Sequence, residues 1–529
     1  MRKSFIKRII AASVLTTMLT ASLGCAKKPV VDPINDNYRV FYEIFVGSFS
    51  DSDGDGTGDL KGIINRLDYL NDGDINSGES LGIQGIWLSP LFESPSYHKY
   101  DAKDYYKIDE KFGTEADLKE LLDECHKRNV KVIIDLVLNH SSDENEWFKK
   151  FASAHQNKDT SNTFYDFYTY VTDGTMLPGH AYYQIPGCPG EYYEGNFSSD
   201  MPEMNYDSEN VYKCMFEVAQ HYLGLGVDGF RFDAVKYIYY NDADASVKFW
   251  KRLMADIKEI KPDAYCVGEC WSGQGEILKY VEAMNCFDFQ ISQADGYVAM
   301  AVKGGDMSTY TNYIDTYQKQ VQKANPDAMP VSFISNHDMD RMAGYMMLAK
   351  NWTQMAANLY ILSPGSPFIY YGEEIGMKGT RGGANTDANR RLAMNWGDED
   401  TVDDPLGATY DRNKQTNGTV KEQLEKENSL VKYYAQLISI RNKYPAIARG
   451  DYKSLKYDNA YFGGSLITYN DEKIGLFHNT KDEELVIDLT STKSAEISFA
   501  KLVDSIGQGT ASLEGNTLTI GPQTSVILK

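Results

Sequence analysis

Apolar runs alternate with amphipathic segments along most of the chain, from about residue 40 to 446. The amphipathic segments have helical periodicity: TEADLKELLDECHKRN (114–129), for example, begins with a threonine cap. Near-continuous apolar strands that alternate with helices are typical of a parallel sheet covered by helices on its outer face. The apolar runs predict strands at 40–49, 83–90, 131–139, 228–235, 264–271, 287–293, 330–338 and 366–374.

Eight strand–helix units predict a protein of the α/β class built on a (β/α)8 (TIM) barrel. The segment 140–206, after the third strand, is rich in Tyr, Gly and Pro and is too long for an ordinary loop, so we expect an inserted subdomain. The barrel is then divided into 38–139 and 207–446. Short alternating runs such as SLITYN and KIGLFHN follow, and they predict an antiparallel C-terminal β-sandwich over 447–529.

The first 24 residues have the pattern of an export signal. A basic start, MRKSFIKR, precedes an apolar stretch too short to span a membrane, and Gly-Cys follows it. This ending resembles a bacterial lipoprotein signal, which implies cleavage before Cys25, lipidation of that residue and a tether at 25–37. We therefore expect an exported cell-surface lipoprotein with membrane contact only through its lipid. Ordinary secretion is the alternative.

Charge disfavours one class of partner, and the cysteine spacing gives no sign of a zinc site or a redox motif. The formal net charge of −22 disfavours binding of nucleic acid, which needs a positive surface. The six remaining cysteines show no CxxC pair or zinc spacing, so we expect buried free thiols. We expect a monomer whose main partner is its substrate.

Polar residues occur at the ends of several predicted strands. In GFRFDAVKY (229–237), Arg231 and Asp233 share one face of a strand because side chains alternate between faces. Active sites of such barrels lie at the carboxyl ends of the strands. The residues that fall there are Asp135, Asn139, His140, Arg231, Asp233, Glu269, His337 and Asp338. Their coincidence at one end of the barrel predicts an active site.

Four motifs carry a family resemblance. DLVLNH, GFRFDAVKY, GECW and SNHD, in this order, resemble the four signature regions of the α-amylase family of glycoside hydrolases (family 13). MPEMN (201–205) is similar to the fifth region of the group intermediate between amylases and oligoglucosidases. The resemblance implies a retaining enzyme in which Asp233 is the nucleophile, Glu269 the acid/base and Asp338 a third carboxylate that binds sugar hydroxyls.

The resemblance also implies roles for substrate-binding residues. Tyr100 would stack beneath the reacting sugar, His140 and His337 would bind its hydroxyls, and Arg231 would keep the nucleophile ionised. Lys236 would bind the leaving-group side. A small Ala234 beside the nucleophile goes with α-1,4 bonds in the family, because a bulkier residue would narrow the leaving-group space.

We therefore predict an α-amylase that cleaves internal α-1,4 bonds of starch and maltooligosaccharides. An oligo-1,6-glucosidase and a 4-α-glucanotransferase are alternatives with the same machinery. A non-catalytic carbohydrate-binding lipoprotein is a further alternative, but the presence of all three carboxylates disfavours it.

The loop DSDGDGTGD is a candidate calcium site. Its aspartates alternate with small residues, which lets the backbone wrap a hard cation with oxygen ligands. It is not an EF-hand, because Gly62 stands where the bidentate Glu belongs. The predicted ligands are Asp51, Asp53, Asp55 and Asp59, and the family resemblance adds the carbonyl of Thr57. Many family members bind a second calcium through the carbonyl of a His that follows the Lys. Tyr237 stands at that position here, so the presence of a second calcium site stays an open question.

Overall fold

The computed structural model describes residues 33–346, 351–492 and 494–529. The predicted signal peptide and Cys25 lie outside the described residues, so lipidation at Cys25 stays a prediction. Within the described ranges, no helix is long and apolar enough to cross a membrane. The six cysteines of these ranges are unpaired, and five of them are buried.

Strands and helices alternate through the first part of the described chain, and strands dominate the last part. The strands are β1 Phe41–Ile44, β2 Gly85–Leu88, β3 Phe92–Glu93, β4 Asp104–Ile108, β5 Lys131–Leu136, β6 Tyr170–Thr172, β7 Tyr182–Gln184, β8 Glu191–Glu194, β9 Gly229–Phe232, β10 Tyr265–Gly268, β11 Asn285–Cys286, β12 Phe368–Tyr370, β13 Asp451–Leu455, β14 Phe462–Tyr469, β15 Glu472–Asn479, β16 Leu485–Asp488, β17 Leu502–Gly507, β18 Ala511–Glu514, β19 Thr517–Ile520 and β20 Thr524–Leu528. The helices are α1 Leu60–Asn65, α2 Leu67–Leu70, α3 Glu115–Lys127, α4 Glu146–Gln156, α5 Glu209–Leu225, α6 Ala243–Ile260, α7 Gln274–Val281, α8 Tyr297–Gly304, α9 Met307–Ala324, α10 Met342–Tyr345, α11 Trp352–Ile361, α12 Val420–Glu425, α13 Leu430–Lys443 and α14 Pro445–Arg449.

Seven parallel strands form the main sheet, in the order β11-β10-β9-β5-β2-β1-β12. The segment 331–333 completes the circle between its two ends. Phe287 forms a parallel bridge with Val331, and Phe333 forms one with Phe368. The sheet therefore closes as the predicted (β/α)8 barrel, and this fold prediction is confirmed.

Aromatic side chains fill the interior of the barrel. The rings of Phe41 and Phe368 stack 4.7 Å apart, and Phe287 contacts both Trp87 and Phe333 at 5.5 and 5.3 Å. All of these side chains are buried. The barrel is thus a packed core rather than a pore, and polar side chains at its strand ends rest on an apolar floor.

Two strand predictions differ from the structure. In the sixth predicted strand, 287–293, only Phe287 forms a bridge, and β11 lies just before it; the seventh, 330–338, is paired only through its two bridges. Phe289 lies after β11 and is buried by stacking on Trp271 at 5.3 Å. The apolar pattern at these positions therefore reports burial by side-chain packing rather than backbone pairing.

Antiparallel sheets occupy the remaining regions. Between β5 and α5 the chain forms the three-stranded sheet β6-β8-β7, and a bridge between His140 and Glu203 ties this inserted segment to the end of β5. The C-terminal strands form a five-stranded sheet, β13-β14-β15-β20-β17, and a three-stranded sheet, β16-β19-β18. These sheets share a separate apolar core around Phe462 and Phe477. The predicted antiparallel C-terminal region is confirmed.

Candidate active site

Strand register places the two predicted catalytic carboxylates side by side. In the parallel pair β9–β10, Arg231 lies opposite Val267 and Phe232 lies opposite Gly268. The next residues, Asp233 and Glu269, therefore leave the sheet at the same level. The backbone N–H of Ala234 donates a hydrogen bond of 3.1 Å to Oε2 of Glu269, which fixes the orientation of that carboxyl group.

Arg231 lies beneath this pair and contacts three carboxylates. Its Nη1 is 3.0 Å from each oxygen of Asp135 and donates to Oδ1 of Asp233 at 2.7 Å. Its Nη2 is 3.1 Å from Oε2 of Glu269, in an orientation that forms no aligned hydrogen bond. The guanidinium is fully buried over the ring of Trp87, so one cation balances three buried acids.

The two carboxyl groups are weaker acids than usual. Burial raises the pKa of Asp233 to about 6, although Arg231 opposes the shift. Burial likewise raises the pKa of Glu269 to about 7; Arg231 opposes this shift, and the charges of Asp233 and Asp338 add to it. Glu269 therefore holds its proton to a higher pH than Asp233, which suits a general acid beside an ionised nucleophile.

Asp338, in contrast to Asp233 and Glu269, is a stronger acid than usual. Its Oδ2 is 2.9 Å from Nε2 of His337, and its Oδ1 accepts a 2.6 Å hydrogen bond from Nη2 of Arg391. Burial works to raise the pKa of Asp338, but these two cations hold it well below the ordinary range. Asp338 is consequently ionised in the folded enzyme at neutral pH.

His337 links the third carboxylate to the first strand. Its Nδ1 is 2.6 Å from Oε1 of Glu43, the third residue of β1. Burial would lower the pKa of His337, but Asp338 and Glu43 raise it to about 10. The ring of Tyr100 stacks on His337 at 5.3 Å, and its hydroxyl donates to Asp135 at 2.9 Å. These contacts give the floor of the site one fixed geometry.

His140 differs from the other polar groups because its Nε2 is buried without a partner among the described residues. Burial lowers its pKa to about 4, so the ring is neutral near pH 7. The ring packs 5.1 Å from Phe197 of the inserted segment. A neutral imidazole nitrogen without a partner is available to a ligand hydroxyl.

These groups surround a cavity of about 800 Å³ at the carboxyl ends of the strands. Six of the eight predicted catalytic and substrate residues line it: Tyr100, His140, Asp233, Lys236, Glu269 and Asp338. Arg231 and His337 lie directly behind them. The structure therefore brings all eight together.

The rim of the cavity holds the residues predicted for the leaving-group side. Nζ of Lys236 donates to the carbonyl of Trp271 at 2.8 Å, and Trp271 is 41% exposed. Ala234 lines the cavity with a left-handed backbone, φ +48°. A β-branched residue is strongly disfavoured in that conformation, so both space and backbone favour a small side chain here.

Sequence reasoning missed two residues of the site. Glu43 is the one charged residue within the apolar strand FYEI, and this was the available signal. Arg391 lies in an irregular region, where its guanidinium also contacts the hydroxyl of Tyr97 at 2.9 Å, and no sequence pattern pointed to it. Asp135 was recognised at a strand end without a role, which the contact with Arg231 now supplies.

The acidic loop forms a compact carboxylate cluster. One oxygen each from Asp51, Asp53 and Asp59 lies within 4.8 Å of the others. Burial opposes ionisation of Asp51, but backbone N–H groups, including that of Gly54 at 2.7 Å, lower its pKa. Asp55 instead accepts a 2.7 Å hydrogen bond from the backbone N–H of Thr57. The cluster offers the hard oxygen donors that Ca²⁺ prefers, while ligation by Asp55 and Thr57 stays a prediction.

A parallel barrel that carries two carboxylates at adjacent strand ends, with a third lining the same cavity, is an arrangement suited to glycoside hydrolysis. Residues 43–450 match the family model described as the α-amylase catalytic domain. The chain therefore belongs to the α-amylase family of glycoside hydrolases.

Individual relatives in this family differ in reaction. The chain is 32% identical over 480 residues to α-amylase 3 of Dictyoglomus thermophilum, covering 89% of each protein. It is 28% identical over 445 residues to a 4-α-glucanotransferase of Thermotoga maritima, covering 81% of this chain and 92% of that one. Among solved structures, Amy13B of Eubacterium rectale superposes with a TM-score of 0.85 at 37% identity, covering 94% of this chain and 97% of the other.

Proposed function

We propose that this enzyme is an α-amylase that hydrolyses internal α-1,4 bonds of starch and maltooligosaccharides. The observation that carries the proposal is Ala234, a small residue that lines the cavity immediately after the nucleophile, where a bulkier residue would narrow the leaving-group space. The 32% identity to an α-amylase supports the same reaction. The similarity to a 4-α-glucanotransferase makes transfer to a second sugar the alternative outcome of the same chemistry.

The proposed first step breaks the glycosidic bond. A carboxylate oxygen of Asp233 attacks the anomeric carbon while Glu269 donates its proton to the departing oxygen. Arg231 contacts both groups, so it orients the nucleophile at 2.7 Å and stabilises its charge. The elevated pKa of Glu269, about 7, keeps a proton available for donation.

The second step releases the sugar from Asp233. Ionised Glu269 takes a proton from water, the water oxygen forms the new bond at the anomeric carbon, and the bond to Asp233 breaks. Asp338 stays ionised between His337 and Arg391, so it accepts hydrogen bonds from sugar hydroxyls throughout. His140, whose Nε2 has no partner among the residues that the structure describes, binds a further hydroxyl. Two inversions return the α-configuration.

The linkage assignment predicts faster hydrolysis of maltopentaose than of isomaltose or panose. Ala234→Val should reduce kcat/KM for maltopentaose by about tenfold or more, because a branched side chain fills leaving-group space and strains the backbone. Ala234→Gly, which adds no bulk, is the control and should retain activity. Chromatography of the products decides the question. Faster cleavage of isomaltose supports an oligo-1,6-glucosidase, and a ladder of longer maltooligosaccharides supports a glucanotransferase.

The pKa values predict a narrow pH profile. Asp233 must be ionised, so kcat/KM falls as pH decreases through about 6. Glu269 must be protonated, so kcat/KM also falls as pH increases through about 7. Initial rates on maltopentaose in buffers of constant ionic strength measure both limbs. A rate that stays flat from pH 5 to 9 contradicts these assignments.

We also propose that the cluster of Asp51, Asp53 and Asp59 binds Ca²⁺ and that the bound ion stabilises the folded protein. Removal of calcium by a chelator should lower the melting temperature by a few degrees. Asp53→Asn should remove most of that difference. Asp74→Asn, at another exposed acidic turn, is the matched control. Identical melting curves with and without chelator, after prolonged incubation, contradict the site.

A further inference from the structure

A chain of buried polar groups runs beneath the active-site cavity, from the first strand of the barrel to Arg231. Oε1 of Glu43 in β1 lies 2.6 Å from Nδ1 of His337. Nε2 of His337 lies 2.7 Å from the hydroxyl of Tyr100, which is in turn 2.9 Å from Asp135. Asp135 contacts Arg231. All five side chains are buried, so water competes little for these contacts.

The directions of these hydrogen bonds follow from the Arg231 end. Nη1 of Arg231 donates to both oxygens of Asp135, so Asp135 is an acceptor and the single proton of the Tyr100 hydroxyl points toward it. The Tyr100 oxygen must therefore accept from Nε2 of His337. Oδ2 of Asp338 lies 2.9 Å from the same nitrogen and is a second acceptor. Nε2 consequently carries a proton.

The other ring nitrogen of His337 also faces an acceptor. Oε1 of Glu43 accepts a 3.3 Å hydrogen bond from the backbone N–H of His337, in addition to its contact with Nδ1. This second bond favours the carboxylate form of Glu43, so Nδ1 carries a proton as well. With a proton on each nitrogen, the ring is an imidazolium ion. Burial works to lower the pKa of His337, but Asp338 and Glu43 raise it to about 10, in agreement with this assignment.

Charged groups from several parts of the barrel surround His337 and its partners. They are Glu43 of β1, Asp135 of β5, Arg231 of β9, and Asp338 and Arg391. Burial raises the pKa of Glu43, and the charges of His337 and Arg231 oppose the shift. Arg231 contacts three other carboxyl groups, and Arg391 is engaged with Asp338. Among the described residues, His337 is the one basic side chain in ion-pair contact with Glu43.

We propose that Glu43 is a positioning residue that holds His337 as a cation, and that this cation keeps Asp338 ionised and sets the pH range in which Asp233 and Glu269 work. Glu43 is not among the residues that line the cavity, so it acts through the imidazole ring rather than on the sugar. The inference rests on the proposed function for its substrate, whereas the charge of the ring can be measured without one.

The charge of His337 reaches both catalytic carboxyl groups through Asp338. Beyond the effect of burial, the negative charge of Asp338 raises the pKa values of Asp233 and Glu269. An adjacent imidazolium offsets part of that negative charge. If the ring becomes neutral, the charge of Asp338 is less compensated, so both catalytic groups should ionise at higher pH.

Two conservative changes of Glu43 separate charge from shape. Glu43→Gln keeps the shape and removes the charge, so it should lower kcat/KM for maltopentaose about tenfold at pH 6 and move both limbs of the pH profile about one unit higher. Glu43→Asp keeps the charge on a shorter side chain, so its limbs should stay in place even if the rate falls. Glu374→Gln is the control, because Glu374 is a buried acid bonded to the hydroxyls of Tyr42 and Tyr69, and it should leave the limbs in place. Unmoved limbs in Glu43→Gln overturn the proposal.

The protonation of the ring gives a readout that needs no catalysis. With nitrogen-15-labelled histidine, NMR should show both ring nitrogens of His337 protonated between about pH 6 and pH 9, and one of them unprotonated in Glu43→Gln. His337→Gln identifies the signals among the eight histidines. A single ring proton in the wild type at pH 7, or two in Glu43→Gln, contradicts the role of Glu43.

The same spectra separate this inference from the proposed function. If they are as expected but the enzyme cleaves no α-1,4 bonds, the proposed function fails and the role of Glu43 stands. If Glu43→Gln does not fold, Glu43→Asp replaces it, because the greater distance should let the ring lose its proton at lower pH than in the wild type. An unchanged titration of His337 in Glu43→Asp then overturns the proposal.

Discussion

Asp233→Asn and Glu269→Gln are each expected to lower turnover of maltooligosaccharides by at least about 10³-fold while the protein remains folded. Asparagine cannot form the bond to the anomeric carbon, and glutamine cannot donate a proton to the leaving oxygen. Both amides fill the same space as the acids they replace, so the packing around Arg231 is kept. Single-turnover rates and circular dichroism of each variant measure the two effects.

A buried carboxylate outside the cavity provides the control. Asp288 is buried and accepts a 2.7 Å hydrogen bond from Tyr313, and burial raises its pKa to about 7 as well. Asp288→Asn should retain turnover. In the wild type, an NMR time course should show the α-anomer as the first product. Initial release of the β-anomer, or full turnover by Asp233→Asn, contradicts the mechanism.

The second large effect concerns stability. Arg231→Met should lower the free energy of unfolding by about 3–5 kcal/mol at pH 7, because Asp135, Asp233 and Glu269 lose their shared buried cation. Without the guanidinium the pKa values of these acids rise further above their unfolded values, which are near about 4. Below about pH 6 the acids are protonated in both folded proteins, so the stability deficit is small there, and it grows as pH rises through the wild-type values of about 6 for Asp135 and Asp233 and about 7 for Glu269.

Arg441 is a matched control, since it is also buried and, within the described part of the chain, its hydrogen bonds go to backbone carbonyls alone, among them that of Ile361 at 2.6 Å. Arg441→Met should cost stability to a similar degree at every pH, because no carboxylate depends on it. Denaturant unfolding at several pH values distinguishes the two patterns. A deficit for Arg231→Met that is independent of pH contradicts the shared-cation account.

Much of this arrangement could be predicted from the sequence, for identifiable reasons. Buried parallel strands appear in the sequence as apolar runs, so the pattern of these runs predicted the positions of the strands along the chain and the barrel fold. Several polar residues occur where these runs end, which located Asp233, Glu269 and Asp338 at one rim. Strand ends meet in space in this fold, so residues distant in sequence could be assigned to one site.

The remainder depended on contacts that sequence patterns do not encode. Arg391 reaches Asp338 from an irregular segment, and its position is set by packing over Phe45 and Tyr97. The short pairing of the sixth and seventh strands was missed because an apolar residue is compatible with both pairing and packing. The left-handed backbone of Ala234 also carries no sequence signature, since alanine rarely adopts it.

The closure of the barrel has a mechanical consequence. Segment 331–333 joins its neighbours through two isolated bridges, and His337 and Asp338 lie just beyond it. The position of the third acid therefore depends on side-chain ties to Glu43 and Arg391 rather than on a backbone ladder. Local unfolding of the barrel should therefore begin at the two bridges of segment 331–333. On heating, Asp338 would then be displaced first, and the enzyme would lose activity at a lower temperature than the one at which the barrel unfolds.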